Sequence, residues 1–166
     1  SADQVLTSDG TDIAWADAAG GVSGLTGLVE NNSIWLGDDP SGTTDTASYS
    51  VALGTTALDA ITTGDSNSAI GYDALTANTT GASNVAVGKS ALAANTTGTQ
   101  NVAIGATALD AATTVNNNVA IGFEALTAST IGDNVAVGTS AMAANTTGTY
   151  NVAVGKSAMT ADTTGG

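Results

Sequence analysis

The pentapeptide Asn101-Val102-Ala103-Ile104-Gly105 is one copy of a pattern that recurs along most of the chain. Asn84-Val85-Ala86-Val87-Gly88 precedes it by 17 residues, and Asn118-Val119-Ala120-Ile121-Gly122 follows it by 17. The structural repeat glycines that end the copies are Gly37, Gly54, Gly71, Gly88, Gly105, Gly122, Gly138 and Gly155. Every interval between them is 17 residues, except that Gly122 and Gly138 are 16 apart. A fixed period of this kind indicates a repeat protein whose units stack on one another.

The residues before each glycine form columns of like side chains. The residue just before the glycine is aliphatic in every copy, and the residue two positions earlier is aliphatic in every copy except at Ser68. Between them lies alanine, replaced in the first copy by Trp35. Because side chains alternate along a strand, the two bulky columns share one face and the alanines occupy the other. We expect the bulky face to line the core and the alanine face to meet a close neighbour.

The second half of each copy contains an Ala-Leu pair and a loop rich in Thr, Asn and Gly, such as Asn95-Thr96-Thr97-Gly98. The leucine column is predicted to form a second core wall; it is Leu58, Leu75, Leu92, Leu109, Leu126, Met142 and Met159. The one-residue deletion is predicted in the loop, between Gly132 and Asn134, because loops tolerate changes in length. The columns that hold Tyr49, Tyr72, Phe123 and Tyr150 also hold small polar residues and are predicted to face solvent.

One repeat is too small to fold alone. Its three large aliphatic side chains contribute roughly 5–8 kcal/mol, whereas ordering its backbone costs about 1–2 kcal/mol per residue. Residues 31–166 are therefore predicted to form an all-β parallel β-solenoid of eight 17-residue repeats, stabilised by stacked coils and by neighbouring chains. Residues 1–30 are predicted to form a short β-hairpin, with its turn at Asp9-Gly10, and a glycine-rich linker.

The composition excludes many functions. The chain of 166 residues has no Cys, no His and no Arg, and Lys89 and Lys156 are its only bases. Catalytic Ser–His or Cys–His pairs and thiolate or imidazole metal sites are therefore absent from the sequence. The net charge of −13 disfavours nucleic acid as a partner. No apolar run is long enough to insert into a membrane. The sequence predicts a non-enzymatic protein without a cofactor.

The repeat resembles two families of trimeric surface fibres. Asn67-Ser68-Ala69-Ile70-Gly71 and the pentapeptide ending at Gly105 are similar to the repeat core of YadA-like trimeric autotransporter adhesin heads, which are left-handed β-rolls. The longer variant, with Ala-Leu and Asn-Thr-Thr-Gly, resembles repeats of bacteriophage tail-fibre proteins. The segment from Gln4 to Thr11, followed by Trp15, also looks like a segment of phage fibres. The 17-residue period is longer than that of the adhesins and favours the phage fibre.

The resemblance implies a homotrimer in which the alanine-bearing strands lie near the threefold axis and three copies of Trp35 close one end. The trimer-axis candidates are Trp35, Ala52, Ala69, Ala86, Ala103, Ala120, Ala136 and Ala153. The function predicted is a structural shaft or receptor-binding segment of a tail fibre in the virion, which attaches the phage to the host. Its other partners would be virion or fibre proteins and a host cell-surface receptor. No receptor-binding residue is assigned.

Two alternative functions and one alternative site stay open. The chain is alternatively the head of a trimeric adhesin on the bacterial cell surface. A third hypothesis is an ice-binding solenoid, because threonine recurs in one column at Thr62, Thr79, Thr96, Thr113, Thr130, Thr146 and Thr163. Asp38, Asp39 and Asp45 are weak candidates for a calcium site, since carboxylate oxygens are the ligands that Ca²⁺ prefers. A solvated capping turn explains these three aspartates equally simply.

Overall fold

The computed structural model of the chain describes residues 6–8, 13–15, 27–30, 33–36 and 46–161. All regular structure in these ranges is β-strand, and none of it is helix. The strands are β1 (Leu6–Ser8), β2 (Ile13–Trp15), β3 (Gly27–Glu30), β4 (Ser33–Leu36), β5 (Val51–Leu53), β6 (Ser68–Ile70), β7 (Val85–Val87), β8 (Val102–Ile104), β9 (Val119–Ile121), β10 (Val135–Val137) and β11 (Val152–Val154).

Strands β4 to β11 form the parallel sheet of a β-solenoid, each strand beside the next one in sequence. Equivalent residues of successive repeats pair with one another, as Val85 does with Val102 and Ala86 with Ala103. Side chains of one kind therefore stack in columns along the sheet. The predicted parallel solenoid with one coil per repeat is confirmed. Its left-handed winding stays a prediction.

Left-handed backbone conformations close each coil within so few residues. In the coil between β7 and β8, Ser90 and Leu92 have φ values of 56° and 51°, and Gln100 has a φ of 60°. The equivalent residues of the other described coils take the same conformation. Since L-residues seldom adopt positive φ, the sharp corners are imposed by the stacking of neighbouring coils. Backbone hydrogen bonds between coils hold them, for example Leu92 N–H to Ala108 O at 3.1 Å.

The core of the solenoid lies between the sheet and the leucine column. Leu58, Leu75, Leu92, Leu109, Leu126 and Met142 are wholly buried. This confirms the predicted leucine wall. The alanines that precede these residues are buried as well. Together with the alanines of the strands they form one continuous apolar cluster along the solenoid.

The shortened coil keeps the strand register intact. Val119 of β9 pairs with Val135 of β10 although only 16 residues separate them, so the deletion lies in the loop as predicted. Its position is corrected by two contacts. Asn118 Nδ2 donates to Ile131 O, whereas Asn101 Nδ2 donates to the carbonyl of Val115, one residue further along its loop. Ile131 thus occupies the usual place of glycine, and the missing residue precedes it rather than following Gly132.

The N-terminal part contains three short strands. Strands β1 and β2 pair antiparallel, with Leu6 opposite Trp15. The predicted turn at Asp9-Gly10 lies outside the described residues, so the hairpin stays a prediction. Strand β3, which the sequence does not predict, pairs antiparallel with β4 and lengthens the sheet to nine strands. No helix long and apolar enough to cross a membrane occurs in the described part of the chain.

Candidate functional site

The outer face of the parallel sheet is the candidate site. We define it as the outward side chains of strands β4 to β11. The first column is Ile34, Val51, Ser68, Val85, Val102, Val119, Val135 and Val152, and the second is Leu36, Leu53, Ile70, Val87, Ile104, Ile121, Val137 and Val154. All of them are partly or largely exposed; Ile34, for example, is 45% exposed and Val154 71%. Two columns of aliphatic side chains therefore face outward along the whole parallel sheet.

The sequence-based assignment of the two sheet faces is wrong. The alanine column points into the solenoid, where Ala69, Ala86, Ala103, Ala120 and Ala136 are wholly buried by their own chain. Ala52, Ala153 and Trp35 are exposed by no more than 3%. These trimer-axis candidates cannot contact another chain without unfolding the coil. The physical reason is width, because only a methyl group fits between the sheet and the leucine wall in so narrow a coil.

The sequence does contain a signal for the correct orientation. The alanine column is invariant in size after the first copy, whereas the other two columns vary among Val, Ile, Leu and Ser. Close-packed interiors tolerate changes of volume poorly. The more variable columns are therefore the ones that lie outside the coil.

A buried polar ladder fixes the start of each strand. Ser33, Ser50, Asn67, Asn84, Asn101, Asn118, Asn134 and Asn151 stack in one column and are at most 9% exposed. The Asn84 side-chain oxygen accepts the Asn101 backbone N–H at 3.0 Å. The Asn84 amide donates to Gly98 O at 2.8 Å in the loop of the following coil. Because a buried polar group without a partner is costly, this ladder locks the register of the strands and keeps the outer face regular.

The threonine column of the ice-binding hypothesis is also engaged between coils. Thr62, Thr79 and Thr96 each donate their hydroxyl hydrogen to the carbonyl of the threonine one coil on, at 2.9–3.0 Å. Thr130 makes the same bond to Thr146 O at 2.6 Å. These hydroxyl groups stabilise the stacking of the loops.

Aromatic and charged side chains border the outer face. Tyr49 and Tyr150 lie beyond the first column and are 66% and 81% exposed, and Tyr72 and Phe123 lie beyond the second at 53% and 51%. Their predicted exposure is confirmed. Lys89 and Lys156 share the column of Tyr72 and are exposed too. The face thus has an apolar centre and a mixed rim.

The acidic side chains do not converge on a chemical site. Burial raises the pKa of the Asp110 carboxyl, partly offset by hydrogen bonds from the backbone N–H groups of Asp110 and Ala111, and the charge of Glu124 raises it further. In the part of the chain that is described, no group of three or more acidic side chains could hold a metal ion. Asp38, Asp39 and Asp45 lie outside the described residues, so the calcium site stays a prediction.

The chain is, by its architecture, an all-β parallel solenoid built of about seven coils with 17-residue spacing. No protein-family model, curated protein or solved structure matches it.

Proposed function

We propose that the chain is a structural shaft segment of a bacteriophage tail fibre, in which three copies associate through their outer faces and carry the attachment of the virion to its host. The observation that carries the proposal is the outer face itself. Its two columns run along eight strands, roughly 38 Å at the spacing of a sheet. They present apolar surface on the order of 400 Å², which is much for one side of a small monomer.

A second copy of the chain is the partner that best fits this face. The columns repeat with the strand spacing along their whole length, so a parallel copy meets like residues at every level. A globular partner would match such a narrow strip over only part of that length. The resemblance to trimeric fibres supplies the number three. With the alanines inside the coil, the valine and isoleucine columns take the place at the threefold axis.

The rod shape supports a shaft. Each coil adds about 4.8 Å of length and contacts only its neighbours, so length grows in proportion to the number of repeats. The phage context and the attachment function derive from the resemblance.

The mass in solution tests the association. One chain weighs 15.9 kDa, and we expect sedimentation to give three times that mass. Val102→Lys places a charge at the centre of the outer face and is expected to dissociate the trimer while the circular dichroism spectrum stays unchanged. Thr97→Lys, at an exposed loop position, is the matched control and keeps the trimer. A wild-type chain that sediments as a monomer at micromolar concentration contradicts the proposal.

Attachment is tested separately. The fluorescently labelled trimer should bind saturably to cells of a susceptible strain within a panel of bacteria. Binding to none of the strains would reduce the proposed function to that of a spacer.

A further inference from the structure

Ser68 is the one polar residue among the sixteen positions of the outer face, all of which lie in the described strands. Its neighbours in the first column are Val51 and Val85. Its backbone N–H donates to Asn84 O at 2.8 Å, whereas its hydroxyl group has no hydrogen bond within the described part of the chain. The side chain is partly exposed and points away from the core. Nothing in the fold of the single chain requires a serine at this place.

A regular apolar face does not define its own alignment. If a second copy is displaced by one coil, every strand but one still meets an apolar neighbour, because the columns repeat with the coil. A copy with its strands reversed also finds aliphatic side chains along its whole length. Association through the outer face therefore needs a feature that does not repeat. Within the two columns, Ser68 is the one change from apolar to polar.

We propose that Ser68 fixes the register and the parallel orientation in which copies of the chain associate, an inference that rests on the proposed function. In the parallel, unshifted arrangement Ser68 meets its own equivalents, and hydroxyl groups both donate and accept hydrogen bonds. A shift by one coil places the hydroxyl against Val51 or Val85, and reversal places it against Val119. In each case a hydroxyl is buried without a partner, which is unfavourable. A single polar residue on an apolar seam sets register in coiled coils for the same reason.

The absence of cysteine makes the register measurable. Thr55→Cys and Lys156→Cys introduce single thiols at exposed positions of one column beside the outer face. Chains spin-labelled at one or the other position are refolded together, and the distance between labels on different chains is measured by pulsed electron resonance. The labels lie six coils apart along the axis, roughly 29 Å, and a slip of one coil changes that axial separation by about 4.8 Å.

The wild-type face is expected to give one distance, with shifted registers below roughly a tenth of the signal. Ser68→Val is expected to add distances about 5 Å longer and shorter, while the mass of the assembly stays the same. In the matched rescue, Ser68→Val combined with Val102→Ser moves the polar position by two coils and restores a single distance.

A single unshifted distance in Ser68→Val would overturn the inference while leaving the proposed association intact. Several distances in the wild type would overturn it as well. A chain that is monomeric in every variant, without coupling between labels, would overturn the proposed function and this inference together.

Discussion

Glycine ends each strand of the sheet because two separate constraints act at that position. Gly88 has a φ of 131°, and a Cβ there would lie 2.7 Å from the carbonyl carbon and oxygen of Gly105 in the next coil. Gly155 has a similar φ of 127°, but nothing lies within 4 Å of its Cβ position. The two glycines therefore separate backbone strain from the close approach of the next coil.

Alanine substitutions measure that separation. Gly155→Ala is expected to cost about 1–3 kcal/mol, the strain of this conformation alone. Gly88→Ala is expected to cost at least about 2 kcal/mol more, because the backbones of two coils must also move apart. Urea unfolding followed by circular dichroism compares the variants with the wild type. Equal losses of stability would show that the contact between coils has no energetic weight.

The left-handed corners also carry residues that the conformation does not favour. Thr107 has a φ of 54°, and positive φ is particularly unfavourable for a β-branched residue. Thr107→Gly is therefore expected to raise the free energy of unfolding by about 1 kcal/mol. Thr139, an exposed threonine of the same kind of loop whose φ is not positive, is the control. Thr139→Gly is expected to lower stability by roughly 0.5–1 kcal/mol, and a loss in both variants contradicts the argument.

At the scale of the loop, an interrupted ladder explains a buried polar atom without a partner. Asn95 Nδ2 donates to Asn78 Oδ1 at 2.9 Å, but Asn95 Oδ1 is buried with no hydrogen bond. The coil that follows has Ala112 in this column, so the next donor is missing. An asparagine here also requires glycine three residues later, because a Cβ at Gly81 would lie 2.3 Å from Asn78 Oδ1.

Ala112 and Val115 are thus expected to be coupled. Val115 is only 4% exposed and has the side chain that the glycines of this column lack. Ala112→Asn alone should be destabilising, since Val115 occupies the space of the new amide, and Val115→Gly alone removes apolar contact. Together the two changes should continue the ladder to Asn95 Oδ1. A double-mutant cycle in urea is expected to give a favourable coupling of about 2 kcal/mol; additive losses would contradict it.

At the scale of the whole molecule, the solenoid should tolerate the loss of one entire coil. Deleting residues 89–105 joins Gly88 to Ala106 and keeps every column in line. Because each coil contacts only its neighbours, the shortened chain is expected to fold cooperatively with a modestly lower melting temperature. Deleting residues 90–105 instead leaves one extra residue and moves Leu109 out of the leucine wall. Thermal unfolding should show a large loss only for this second deletion, and similar losses in both would contradict stacking by columns.

The amino-acid sequence by itself determined the period, the strands from Val51 onward and the leucine wall. Each of these is repeated in every copy, and a repeated pattern leaves one way to stack. Strand β3 lies outside the repeats, and its pairing with β4 was decided in three dimensions. So was the orientation of the sheet, because a strand that is apolar on both sides has no polar residue to show which side meets solvent. Only the closure of the coil, with room for alanine but not for valine such as Val102 beneath the sheet, turned the bulky columns outward.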